Sequence, residues 1–100
     1  MKAIRDKIPF DLPGRRYGTL DGEAFLDLLV GKLYEEANEV ATAVAMREPS
    51  DALVAEELAD LIEVAHAIAY RLGISSDQLH ETRMAKLRDR GTFNLGHVIS

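Results

Sequence analysis

Cysteine is absent from the 100-residue chain. That excludes a disulfide framework, a thiolate metal site and a thiol nucleophile, and it fits a cytoplasmic protein. A basic excess is absent as well: 12 Lys and Arg stand against 17 Asp and Glu, for a formal net charge of -5. A polyanion needs a basic face to neutralise its phosphates, so a nucleic-acid polymer is not an expected partner, whereas one small phosphorylated molecule is compatible with this charge. Acids interrupt every long hydrophobic stretch, so nothing approaches the roughly 20 apolar residues that span a bilayer, and no membrane association is expected. No signal-peptide pattern opens the chain, and internal repeats and low-complexity tracts are missing. What is present, 47% hydrophobic and 29% charged residues, describes one soluble domain able to bury about two thirds of its unfolded surface. A domain this small gains from oligomerisation.

The three prolines punctuate the chain. Residues 1–21 contain Ile8-Pro9 and Pro13-Gly14, and each proline disfavours helix at the residue before it, so this stretch reads as a loop or extended N-terminal arm. From about Asp21 to Arg47 the apolar spacing Phe25, Leu29, Leu33, Val40, Val44 is helical, and Pro49-Ser50 ends it. Gly31 inside this helix costs about 1 kcal/mol relative to Ala. Ser50 or Asp51 can cap a second helix, which follows the stripe Leu58, Leu61, Ala65, Ile68, Leu72 and stops at Gly73. Ser75 with Gln78 three residues later forms a capping box that opens a third helix, ending near Arg90 before Gly91. The expectation is a single all-α domain: an arm (1–21), a helical core (22–91) in which the first two helices form an antiparallel hairpin joined by a third, and a tail (92–100). In that tail Phe93, Leu95, Val98 and Ile99 are apolar enough to pack.

Acids occur where such a protein buries hydrocarbon. At about 100° per residue, Glu36 falls in the middle of the arc formed by Phe25, Leu29, Leu33, Val40, Ala43 and Val44, with Glu39 on the same side. In the second helix Glu57 falls on the margin of the apolar arc. An ionised carboxylate removed from water is costly unless it is paired or bound to a cation. The hairpin would bring Glu36 and Glu39 opposite Glu57 and Asp60, an oxygen-only set suited to Mg²⁺ or Mn²⁺; Mg²⁺ is commonly completed by substrate phosphates. On the third helix Arg83, Lys86 and Arg90 share the side of Leu79 and Leu87, where they could grip phosphate oxygens. Three other readings compete. The acids can line solvated faces, with Glu36 satisfied by Lys32, Arg83, Lys86 or a dimer interface. They can bind a basic partner in a helical interaction module without catalysis. Glu63 and His66 form a Glu-x-x-His pair of the kind that holds two redox metals in four-helix bundles, although His66 projects toward solvent.

Lys32-Leu33-Tyr34-Glu35-Glu36-Ala37-Asn38-Glu39, followed by Glu56-Glu57-Leu58-Ala59-Asp60, resembles the E-x-x-E and E-x-x-D halves of the all-α NTP pyrophosphatases, the MazG-like superfamily. Ile4-Arg5-Asp6-Lys7-Ile8-Pro9 and Lys86-Leu87-Arg88-Asp89-Arg90-Gly91-Thr92-Phe93 look like its branch of small house-cleaning enzymes, related to phosphoribosyl-ATP pyrophosphohydrolase. The resemblance covers nearly the whole chain. Departures are a short loop between Pro9 and Phe25, Gly31 in place of a helix former, and a tail poor in basic residues. The resemblance implies a MazG-like helical bundle completed by oligomerisation, as a homodimer or homotetramer, and hydrolysis of a nucleoside triphosphate between the α and β phosphates. Glu36, Glu39, Glu57 and Asp60, with Glu63 one turn beyond, would then be the ligands of Mg²⁺, with Mn²⁺ as the alternative. Glu35 or Glu36 would orient or deprotonate the attacking water, and Arg5, Lys7, Lys32, Arg83, Lys86 and Arg90 are the candidates for phosphate contacts. His80, Tyr17 and Tyr34 are available to stack on or hydrogen-bond a base.

Overall fold

The computed structural model describes residues 1–8, 18–48 and 50–100. The three prolines, Gly14 and Tyr17 lie outside the described residues. Within them the elements are α1 (Gly22–Ala45), α2 (Ala52–Arg71) and α3 (Ser76–Arg90), with no strand. None of these helices is long and apolar enough to cross a membrane.

The helix ends follow local chemistry. The Ser50 hydroxyl accepts from the Ala52 backbone N–H at 3.2 Å, while Asp51 makes no side-chain cap bond. At the far end of α2, Gly73 takes φ +76°. Its N–H donates to the Tyr70 carbonyl at 3.1 Å, and the Ile74 N–H donates to the Ala69 carbonyl at 2.9 Å. These two bonds are the Schellman pattern, which needs a left-handed residue where Gly73 stands. Two residues later Ser75 caps α3 through one half of the expected capping box: its hydroxyl accepts from the Gln78 N–H at 3.0 Å.

Helices α1 and α2 pack closely as an antiparallel hairpin. On α1 the buried residues Leu29, Glu36 and Ala43 recur every seventh position, flanked by half-buried Phe25, Leu33 and Val40. That is the seam spacing of two helices packed side by side. The facing seam of α2 is rotated from the expected one. Val64 and Ala69 are buried and Val54, Glu57, Leu61 and Ile68 half-buried, whereas Leu58, Ala65 and Leu72 are exposed. The apolar arc of α2 is wider than one neighbouring helix can cover, and α1 takes the side centred on Val64. Glu57 therefore sits within the seam instead of on its margin.

The third helix touches α2 and contributes no buried residue. The tail does not pack: Phe93, Leu95, Val98 and Ile99 are each more than four-fifths exposed, because three helices of this length supply no second layer to cover them. The radius of gyration is 16.6 Å, against about 13 Å for a compact domain of 100 residues. At the other terminus the chain is anchored, with Ala3 buried on the hairpin, Lys2 paired with Glu35 at 3.5 Å and Arg5 bonded to Asp60.

Candidate metal centre

Because Glu36 and Glu57 occupy seam positions on facing helices, their carboxylates converge between α1 and α2, and Glu39, one turn after Glu36, joins them. One oxygen from each of the three lies within 4.8 Å of the others. Glu36 is only 4% exposed. Its Oε1 receives Lys32 Nζ at 3.3 Å, but its Oε2 and the Oε2 of Glu57 are buried with no hydrogen-bond partner among the described residues. A buried acceptor left unpaired costs free energy, more so when it is charged.

The electrostatics show the same unmet demand for positive charge. The Glu57 pKa is pushed above the usual carboxylate range, first by a hydrogen bond shared with Glu39, then by desolvation and by the charges of Glu39, Asp60 and Glu36. The mutual repulsion of these carboxylates is what a bound cation would relieve. Burial works to lower the Lys32 pKa but is outweighed by its hydrogen bond to Glu36 and the charges of Glu35 and Glu36, so the ammonium is held above its ordinary value. The residues fit a hard divalent cation: every donor is a carboxylate oxygen, and two of these oxygens are buried and unpaired among the described residues.

The other acids named from the sequence are placed differently. Asp60 Oδ1 accepts from the Arg5 guanidinium and stands outside the three-oxygen cluster. Glu35 binds Lys32 at 3.6 Å and Lys2 at 3.5 Å. Glu63 and His66 are exposed and are not drawn into the cluster. Glu36, Asp60 and Glu63 do share the wall of one open cleft of about 850 Å³, roofed by residues 3–8 and floored by α1 and α2. Arg5, Lys7 and Lys32 line the same cleft. Arg83, Lys86 and Arg90 are exposed on α3 and do not line the cleft.

Two features escape the sequence reading. Arg71 stacks over Phe25, its guanidinium carbon 4.5 Å from the ring centroid, and reaches Asp21 at 3.6 Å. Tyr70 lines the cleft at its far end. Neither carries a periodic signal, since partners about 50 residues apart meet only when the hairpin closes.

Residues 26–93 match the family model of the MazG nucleotide pyrophosphohydrolase domain. No curated protein and no solved structure matches the chain.

Proposed function

The chain belongs to the MazG nucleotide pyrophosphohydrolase family, and from that premise we propose that it hydrolyses a nucleoside triphosphate between the α and β phosphates, releasing monophosphate and pyrophosphate. The reading extends to Mg²⁺, with Mn²⁺ as an alternative, and to the removal of non-standard nucleotides in the cytoplasm by a single domain spanning residues 1–100. The observation that carries it is the pair of buried, unpartnered carboxylate oxygens on Glu36 and Glu57, beside Glu39. Those three residues, with Asp60 and with Glu63 as a further or outer ligand, would hold the ion. When bound, such an ion neutralises phosphate oxygens and makes a coordinated water more acidic.

The chain's own groups supply the rest. Glu35 or Glu36 accepts the proton of the attacking water. Lys32, held charged between them, fixes both carboxylates and offers its remaining donor capacity to phosphate. Arg5 and Lys7, on the roof of the cleft, lie where β and γ phosphates would enter beside the acids, and their charge offsets that developing on the leaving pyrophosphate. Arg83, Lys86 and Arg90 act from a second copy of the chain. A homodimer or homotetramer is supported by the exposed apolar residues of α2 and the tail, including Ile62, Leu72, Phe93 and Ile99.

The test is pyrophosphate release from standard and modified nucleoside triphosphates with Mg²⁺, Mn²⁺ or chelator. Metal-dependent release that disappears in Glu57→Gln, with the fold retained by circular dichroism, is the expected result. A folded, metal-binding protein that releases pyrophosphate from none of them would overturn the reading in favour of an acidic interaction module.

A further inference from the structure

The cleft is polarised along its length, and both helices that floor it run from acid to aromatic in the same direction. On α2 its wall passes from Asp60 and Glu63 through Val64 and Ala67 to Tyr70, about 15 Å at 1.5 Å per residue. On α1, antiparallel to it, the wall passes from Glu36 through Lys32 and Leu29 to Phe25, about 16 Å by the same rise. Arg71 over Phe25 ties the two helices together at the end remote from the acids. Taking the nucleotide-hydrolase reading as its basis, we infer that Tyr70 is the stacking platform for the nucleobase, and that the Phe25–Arg71 end of the cleft is the base end of the nucleotide site.

The order of groups fixes the orientation of a bound nucleotide. Phosphates need the acid end, where a divalent ion and Arg5, Lys7 and Lys32 balance their charge. Sugar and base then extend over Val64 and Ala67, which offer no charge, toward the aromatic end. Of the two aromatic rings there, Phe25 has a face occupied by Arg71, whose guanidinium is also engaged by Asp21. Tyr70 lines the cleft while remaining 79% exposed, so its ring can receive a planar partner. His66, one turn earlier on the same wall, stands where a polar base edge would reach. Tyr34 and His80 do not line the cleft. A stacking face selects nucleotides as a class, because every base presents a π-face, and leaves discrimination among bases to polar groups at the base edge.

Kinetics of wild type, Tyr70→Phe and Tyr70→Ala on one hydrolysed triphosphate test this, with inorganic tripolyphosphate as a base-free competitive inhibitor. Loss of one base–aromatic stack raises KM roughly ten-fold or more in Tyr70→Ala. The expected signature adds an unchanged kcat, an unchanged tripolyphosphate inhibition constant, and wild-type KM restored by Tyr70→Phe. An unchanged KM in Tyr70→Ala would overturn the inference, as would an equal weakening of tripolyphosphate, which would place Tyr70 at the phosphates or in the fold. Calorimetric binding of a nucleoside monophosphate with Mn²⁺ decides independently of turnover. A wild type that hydrolyses nothing yet binds the monophosphate about ten-fold more tightly than Tyr70→Ala would sink the hydrolase reading and keep the base platform. Equal binding would sink the platform.

Discussion

Glu36 and Glu57 meet across the α1–α2 seam, and each leaves its Oε2 buried without a hydrogen-bond donor among the described residues. In a hairpin whose neighbouring seam positions are Leu29, Ala43, Leu61 and Val64, hydrocarbon at these two places would pack at no electrostatic cost. Keeping carboxylates there sacrifices stability in the ion-free chain, and the size of that sacrifice is measurable.

The first consequence is a pH dependence of stability. The folded pKa of Glu57 is raised, so the folded chain holds a proton that the unfolded chain releases. Such a contribution is fully present below the unfolded carboxylate value and is lost as pH rises through the folded one. In chelator, the melting temperature is expected to fall as pH increases across this window, and the fall is expected to vanish in Glu57→Gln. Saturating Mg²⁺ is expected to raise the melting temperature by more as pH rises, because ion and proton compete for the same carboxylates. A wild-type melting temperature that is flat or rising across the window in chelator would contradict the shared-proton arrangement.

Lys32 is the ammonium partner of a carboxylate that is almost fully buried. Replacing it by methionine keeps the stem and removes the charge, leaving Glu36 Oε1 without its donor. Urea unfolding in chelator is expected to show a loss of roughly 1–3 kcal/mol, the cost of stranding a buried acceptor. In a Glu36→Gln background the same substitution is expected to cost clearly less, and equal costs in the two backgrounds would show that the pair is not coupled.

Gly31 and Gly73 are expected to respond to alanine with opposite signs. A Cβ at either position meets no atom within 4 Å, so sterics with neighbours do not decide the outcome. Gly31 lies within α1 at ordinary helical geometry, and Gly31→Ala is expected to stabilise by up to about 1 kcal/mol. Gly73 has φ +76° at the end of α2, and Gly73→Ala is expected to destabilise by about 1–2 kcal/mol, the cost of a left-handed L-residue. Thermal unfolding of the two variants beside wild type reads both signs at once.

Apolar periodicity and stop signals are local properties, and the sequence alone was sufficient to place three helices, the α1–α2 hairpin, the Ser75 N-cap, the glycine stop after α2 and the family. Glu36 could be singled out for the same reason, since its helix has one apolar arc and the acid sits in its middle. Tertiary structure decided what depends on which neighbour each face meets. The apolar arc of α2 is broad enough for several rotations, and only docking against α1 selected the one that draws Glu57 into the seam and leaves Leu58, Ala65 and Leu72 outside. The bond from Arg5 to Asp60 joins residues 55 positions apart, and the stack of Arg71 on Phe25 likewise forms only once the hairpin closes. The apolar tail shows the converse: its composition predicts burial, but burial requires a surface to receive it, and a hairpin with one added helix supplies none within the chain.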